Sequence, residues 1–248
     1  MKIVTVIPTA TRAFCDEYVD LLQPFLLPST ELHATPVEAA LPHLEYYYYG
    51  ALTTVGIIER MMKAQEDGFD AAIIGCFYDT GLREAREVLT LPVVGPGEVT
   101  FHHAAMTAEA IGVVVGRRKM LPKLRENAST YGVASKIVAW ESAELTVPEL
   151  RLRTDDVYVR LRNACAQAMG RGAEALVLAC GSMTYYAERL ESDLGCPALD
   201  PRLLSVKYAE MMGDLYRRTG LTHSKLWGYE TPPITSLSRT HVGAKADR

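Results

Sequence analysis

The chain has 248 residues, 48% of them apolar and 23% charged, with a formal net charge of −4. That length suffices for one large α/β domain or two smaller ones, each with a proper core. No apolar run nears the ~20 residues of a membrane helix, and no block of Lys and Arg offers a footprint for nucleic acid or an anionic membrane. The opening Met1-Lys-Ile-Val-Thr-Val-Ile-Pro8 is too short and too strand-like for a signal peptide, so a cytoplasmic location is expected. Five cysteines, an odd number, argue against a disulfide framework and leave catalysis, metal binding or simple burial.

Ile3 to Ile7 reads as a first strand, ended by Pro8-Thr9-Ala10-Thr11. Helical spacing of Val55, Ile58, Met61 and Met62 predicts a helix from about Thr53 to Gln65, capped by Thr53 or Thr54 and stopped by Gly68. The run Tyr46 to Tyr49 before it reads as loop or irregular strand. Ala71 to Ile74 is apolar throughout, as in a parallel sheet covered on both faces. A helix then spans about Leu82 to Leu89 with Asp79 or Thr80 as its cap, and Pro92-Val-Val-Gly-Pro-Gly97 closes the first half.

The second half repeats the order. Ile111 to Val115 is a strand and Leu121 to Tyr131 a helix, and a stronger helix spans Thr154 to Met169, with Asp155 and Asp156 in its first turn. Leu176 to Ala179 is the matching buried strand, followed by a helix capped by Ser182 or Thr184. Pro197-Ala-Leu-Asp200 echoes Pro92-Val-Val-Gly95, and a last helix, about Leu204 to Arg217, packs back across the first half. Alternating strands and helices imply an α/β fold of parallel sheets with right-handed crossovers. The expected organisation is a first lobe of residues 1–99 plus about 204–228, a second lobe of 100–203, and a polar tail of 229–248.

Two segments carry the repeat most clearly: Gly68-Phe-Asp-Ala-Ala-Ile-Ile-Gly-Cys76 and Gly172-Ala-Glu-Ala-Leu-Val-Leu-Ala-Cys180. Each is a glycine, an acid two places on, an apolar run and a cysteine. Two pseudo-symmetric half-domains facing one another would put both thiols on one cleft, where one base removes a proton from a carbon and the other returns it to the opposite face. Both cysteines stand where a strand ends and a helix is about to begin, the edge at which open parallel sheets hold ligands. Exposed N–H groups and the positive helix end there favour thiolate, and a free thiol near 8.5 needs to fall only about one or two units to serve as a base. Taken singly, either cysteine fits a small buried residue at a strand end; the repeat-equivalent placement of two favours chemistry. Cys15, Cys165 and Cys196 read as structural.

Gly75-Cys-Phe-Tyr-Asp-Thr-Gly-Leu-Arg-Glu-Ala-Arg-Glu87, with Pro92-Val-Val-Gly-Pro-Gly-Glu98, resembles the first cysteine motif of the hydantoin and allantoin racemases, a branch of the aspartate/glutamate racemase superfamily. Leu178-Ala-Cys-Gly-Ser-Met183 with Pro197 to Asp200 is similar to its second motif. The resemblance, over most of residues 1 to 215, implies a cofactor-free homo-oligomeric enzyme of two pseudo-symmetric Rossmann-like lobes, acting on a small molecule in the cleft between them. It implies Cys76 and Cys180 as two bases, a planar enolate-like intermediate, and substrate contacts from Phe77, Tyr78, Gly181, Ser182, Pro8, Thr9 and Thr11. The backbone N–H groups of Phe77, Tyr78, Gly181 and Ser182 would stabilise developing charge or begin a helix.

Three stretches depart from the family: Ile7-Pro8-Thr9-Ala10-Thr11 replaces its Asn-Pro-Asn-Thr, hydroxyl residues are replaced around Val115-Gly116-Arg117, and Pro201-Arg202 replaces small residues after Asp200. Arg117 or Arg202 would meet an anionic group if either entered the pocket; otherwise each is a solvated surface arginine. Tyr46 to Tyr49 would line the cleft, a subunit interface or the core. His102-His103 begin a helix after the Gly95-Pro-Gly97 loop and lack the further ligands a metal site needs. The competing functions are a maleate-isomerase-like cis-trans isomerase with a cysteine nucleophile and a noncatalytic metabolite-binding protein. Arylmalonate decarboxylases keep only the second-half cysteine, so Cys76 disfavours that activity.

Overall fold

The computed structural model describes residues 1–8, 11–37 and 41–233. The first half runs β1 (Lys2–Ile7), α1 (Arg12–Leu22), β2 (Glu31–Pro36), α2 (Tyr47–Glu66), β3 (Ala71–Ile74), α3 (Leu82–Val88), β4 (Val93–Val94) and α4 (Pro96–Thr107). The second runs β5 (Ile111–Val115), α5 (Leu121–Thr130), β6 (Ile137–Ser142), α6 (Val147–Leu150), α7 (Asp155–Gly170), β7 (Ala175–Leu178), α8 (Ala187–Leu194), β8 (Ala198–Leu199) and α9 (Pro201–Thr219). Each half builds a four-stranded sheet, ordered β2-β1-β3-β4 and β6-β5-β7-β8, with every strand pair parallel. The apolar runs Ala71–Ile74 and Ala175–Leu178 are buried at all four positions because helices cover both faces of each sheet. Among the described residues no helix is long and apolar enough to cross a membrane.

The internal repeat extends to individual hydrogen bonds. Asp70 N–H donates to Lys2 O and Glu174 N–H to Ala110 O, both at 2.8 Å. Ala72 N–H reaches Pro92 O at 2.9 Å, and Leu176 N–H reaches Pro197 O at 2.8 Å. The two sheets differ where β5 meets β6, whose register shifts between Ile111 and Gly112, while β1 and β2 pair without a break.

Each half sends its last helix to the other sheet. Phe101 and Ala104 of α4 pack in a core with Ile111, Val113 and Val177 of the second sheet. Val206 and Ala209 of α9 pack with Ile3, Ala71 and Ile73 of the first. The two helices also pack against one another. Burial of apolar surface therefore ties the halves together, because neither sheet is covered without the other half's helix.

Several local expectations give way to tertiary context. Helix α2 starts at Tyr47, with Tyr46 at its N-cap, so most of the tyrosine run is its first turn rather than loop or strand. Tyr46 and Tyr49 pack on His43 with ring centroids 5.7 and 5.5 Å from it, and Lys119 from the second half stands over Tyr46 at 5.0 Å and Tyr47 at 5.8 Å; this packing overrides the β preference of tyrosine. Thr53 and Thr54 lie inside the helix, where their hydroxyls donate back to Tyr49 O and Gly50 O at 2.8 and 2.9 Å. The N-cap of α3 is Gly81, at φ +79°, not Asp79 or Thr80. Neither Ser182 nor Thr184 caps α8, which is entered through a 3₁₀ turn at Thr184–Tyr186. His102 and His103 lie in the middle of α4 rather than at its start.

All five cysteines are free. Cys15 is buried in the first sheet's core and Cys165 and Cys196 in the second's. Burial pushes the Cys15 thiol up to about 11 and Cys165 up to about 12. After α9 the chain returns over the first sheet. His223 Nε2 accepts from Val93 N–H at 2.8 Å, and Lys225 Nζ donates to Arg86 O and Glu87 O, which covers the edge strand β4. Tyr229 hydroxyl lies 3.5 Å from Arg86 Nη1, and residues 234–248 of the expected tail are outside the described residues.

Candidate active site

The site is built by the two turns that follow β3 and β7. Each strand's ladder continues for one more residue: Gly75 N–H donates to Val6 O at 2.7 Å, and Ala179 N–H to Val114 O at 2.9 Å. The cysteine comes next, and a hydrogen bond to its carbonyl closes the turn, from Asp79 N–H to Cys76 O at 3.1 Å and from Met183 N–H to Cys180 O at 2.9 Å. The first turn requires glycine at 75, since a Cβ there would stand 2.7 Å from Ile7 Cα and 2.8 Å from Val6 O.

Both half-buried thiols line one cavity between the sheets, with Ile7, Phe14, Leu44 and Pro96 on one side and Val147, Arg151 and Arg202 on the other. Each thiol is pulled down by the backbone N–H two residues on, Tyr78 for Cys76 and Ser182 for Cys180. Each also has a hydroxyl, from Thr80 on Cys76 and from Ser182 on Cys180. These donors favour thiolate but do not prevail: burial pushes Cys76 up to about 12, and it raises Cys180 as well. The expected thiolate-favouring effect of a helix end is overturned because α3 and α8 begin well past their cysteines, and a helix dipole fades within a turn. Cys180 has an acid, Glu45, whose charge is offset by the Arg151 guanidinium, whereas Cys76 has Asp79 and, among the described residues, no cation to offset it.

Asp79 occupies a left-handed backbone position at φ +54°. Its carboxylate accepts from Gly97 N–H at 2.9 Å, Glu98 N–H at 2.7 Å and Tyr131 hydroxyl at 2.7 Å. It therefore caps α4, not the helix that follows it, and links the first cysteine turn to the second half. Burial pushes its carboxyl up to about 7 against the pull of those three donors. Gly97 allows the approach, as a Cβ there would lie 2.5 Å from Phe77 O.

The other expected site residues separate into two groups. Phe77, Tyr78, Gly181 and Ser182 line the cavity, although the Phe77 ring packs away from it, edge-on to Phe101 at 5.7 Å. Pro8 and Thr11 do not line it; Ile7 does, and Thr11 Oγ1 instead caps α1 by accepting from Phe14 N–H at 3.4 Å. Thr9 lies outside the described residues. Arg202 lines the cavity, whereas Arg117 hydrogen-bonds Tyr46 and does not. Tyr46 and Tyr47 line a larger open groove on the far side of Tyr78, shared with Asp79, His102 and Tyr131.

Sequence reading missed His43 and Arg151. Arg151 is placed by α6, whose start is a reciprocal cap: Thr146 Oγ1 accepts from Glu149 N–H at 3.3 Å, and Glu149 accepts from Thr146 N–H at 2.7 Å. That Thr-x-x-Glu spacing is legible in the chain. His43, 3.5 Å from buried Glu45, lies in an irregular stretch with no periodic signal. Among the described residues no cluster of three His, Cys, Asp or Glu is placed to hold a metal ion.

Comparison with known proteins agrees with this architecture. The family model described as Asp/Glu/Hydantoin racemase matches residues 3–209. A hydantoin racemase of Pseudomonas sp. (strain NS671) is 30% identical over 245 residues, covering 98% of this chain and 95% of that protein. A hydantoin racemase of Paenarthrobacter aurescens is 27% identical over 234 residues, covering 94% and 98%. The solved structure of allantoin racemase from Klebsiella pneumoniae superposes with a TM-score of 0.87 at 28% identity, covering 96% of both chains. The chain therefore belongs to the Asp/Glu/hydantoin racemase family, within its hydantoin and allantoin racemase branch, and is an isomerase.

Proposed function

We propose that this enzyme inverts the stereocentre of a 5-substituted hydantoin or of allantoin by proton transfer between two cysteines. The observation that carries the reading is that two free thiols, at equivalent ends of β3 and β7, line a single cavity and are held by matching backbone donors. The C5 proton of a hydantoin is acidified by the adjacent carbonyl, and the electron pair left by its removal is delocalised onto that oxygen. One cysteine acts as thiolate and takes the proton; the other, as thiol, gives its own proton to the opposite face. The turnover ends with the two protonation states exchanged, and the pair titrates as a unit.

The surroundings of the thiols suggest which state each holds at rest. The donors are matched, so the charges decide: Cys180, where Arg151 offsets Glu45, is the better thiolate, and Cys76, with Asp79 and no offsetting cation among the described residues, the better thiol. The remaining N–H groups near the turns, at Phe77 and Gly181, are the proposed donors to the developing oxyanion. Closure around a substrate removes water and strengthens every such interaction.

The test is incubation in deuterium oxide with single enantiomers of allantoin, benzylhydantoin and isobutylhydantoin, following the C5 proton by NMR together with optical rotation and subtracting the spontaneous rate. Enzyme-dependent exchange with loss of rotation is expected, and neither Cys76→Ser nor Cys180→Ser should racemise. Absence of exchange above background across the panel, and with a hydantoin bearing a charged side chain as well, would overturn the reading and point to double-bond isomerisation or ligand binding.

A further inference from the structure

The cysteine cavity is apolar over most of its wall, yet the charged side chains that line it are Arg151 and Arg202. No carboxylate lines it among the described residues. Arg202 is the more informative of the two. Its side chain is only 12% exposed, its guanidinium lies 4.5 Å from the centroid of the Tyr185 ring, and its stem runs beside Gly181, with Cγ and Cδ both 3.7 Å from where a Cβ would stand. It is therefore adjacent to the residue that follows Cys180.

The bonding capacity of Arg202 is not used up within the protein. Its Nη2 lies 3.4 Å from Asp200 Oδ2, longer than the ~2.7–2.9 Å of a strong charge-assisted hydrogen bond. Asp200 has another task, since its Oδ1 accepts from the backbone N–H of Arg202 at 2.7 Å and of Leu203 at 3.3 Å at the start of α9. Arg202 Nε is buried and has no hydrogen-bond partner among the described residues. A buried guanidinium N–H left unpaired is costly, and the arrangement is relieved by an anionic acceptor entering the cavity. Arg151 sits in the same cavity with its guanidinium 5.4 Å from the centroid of the Phe14 ring.

We propose that Arg202, assisted by Arg151, forms an anion subsite, and that the substrate is a 5-substituted hydantoin whose side chain ends in a carboxylate. This deepens the racemase reading and rests on it for the identity of the ring. The carboxylate is held on the Gly181 side by the planar guanidinium, while the ring lies between the two thiols. Tyr185 keeps the guanidinium plane fixed from behind, and Arg153 stacks on the same ring at 3.5 Å.

The test compares 5-(carboxymethyl)hydantoin with its primary amide, which has nearly the same shape without the charge. Binding is measured by calorimetry and turnover by deuterium exchange, in the wild type, Arg202→Gln and Arg202→Lys, with thermal melts to confirm folding. The wild type should favour the acid by about 10- to 100-fold in Kd and in kcat/KM. Arg202→Gln should lose that preference through KM, with a much larger loss for the acid than for the amide, and Arg202→Lys should restore part of it. Equal binding of acid and amide by the wild type would overturn the subsite, as would a parallel loss of both in Arg202→Gln, which would mean that Arg202 serves the developing charge on the ring instead. The two readings fail separately. Exchange of neutral hydantoins without acid preference removes the subsite alone, whereas Arg202-dependent acid binding without exchange of any hydantoin keeps the subsite and removes the racemase reading.

Discussion

The turns that follow β3 and β7 have the same backbone and different surroundings. Both extend their strand by one ladder hydrogen bond, close on the cysteine carbonyl and offer the thiol an N–H from two residues on. They part at the position after the closing bond begins. In the first turn it is Asp79, left-handed and bonded across to α4; in the second it is Met183, fully buried in the core of its own sheet. The first cysteine is thus tied to the junction between halves and the second to arginines and hydroxyls in the cavity. Duplicated backbone geometry sets where the thiols stand, and unduplicated side chains set how readily each gives up its proton.

The largest effect should come from removing either thiol, and it is the sharpest test of that difference. Cys76→Ser and Cys180→Ser should each lower racemisation by roughly 10³-fold or more. They should differ in exchange without inversion. With Cys180 intact, the enantiomer that presents its proton to that face should still take up deuterium slowly, whereas Cys180→Ser should leave almost none; NMR of separate enantiomers reads this directly. Equal residual exchange in both variants would mean that the surroundings do not bias the pair.

Asp79→Ala should lower stability in urea by about 2–3 kcal/mol, because it strands two α4 N–H groups and the Tyr131 hydroxyl and leaves a non-glycine residue at positive φ. Asp79→Asn should lose much less, since Asn tolerates the left-handed region and still accepts one of those bonds. A loss from Asp79→Ala no larger than that of an exposed substitution would show that the tie between halves is unimportant.

Gly75 and Ala179 occupy the same ladder position, so exchanging their side chains probes the backbone they share. Gly75→Ala should cost about 1–3 kcal/mol through the contact with Ile7 and Val6 and should slow turnover by displacing Cys76. Ala179→Gly should cost roughly 1–2 kcal/mol, from chain entropy and the loss of one buried methyl, and should leave turnover nearly unchanged. Comparable losses of turnover in the two would mean that the turns are more alike than the contacts indicate.

The smallest effect concerns the hydroxyls. Both thiols are raised by burial, so the thiolate fraction and the rate should climb as pH rises above neutral. Ser182→Ala removes a donor from the Cys180 thiolate and should move that rise upward by about one pH unit, close to a tenfold slower reaction at neutral pH. Thr80→Val should move it less, because Cys76 enters the cycle as thiol. A larger shift from Thr80→Val would reverse the assignment of resting states.

Short-range pattern carried much of this protein into its sequence. Apolar runs bounded by glycine and proline marked β3, β5 and β7 to within a residue, the repeat of glycine, acid, apolar run and cysteine marked Cys76 and Cys180 as equivalent positions, and the comparisons bear out the family that the chain resembles. These features are legible because strand period and turn chemistry depend on neighbours in the chain. Helix starts were less so: Tyr46 to Tyr49 and Asp79 have local preferences that long-range partners override, the first where Lys119 packs over the rings of Tyr46 and Tyr47 and the second by bonding to α4. Tertiary structure alone decided that α4 and α9 cover opposite sheets, that burial outweighs the donors at both thiols, and that Arg202 rather than Arg117 reaches the cavity. Each of those outcomes depends on groups far apart in sequence and close in space, where desolvation and contact are properties of the assembled fold.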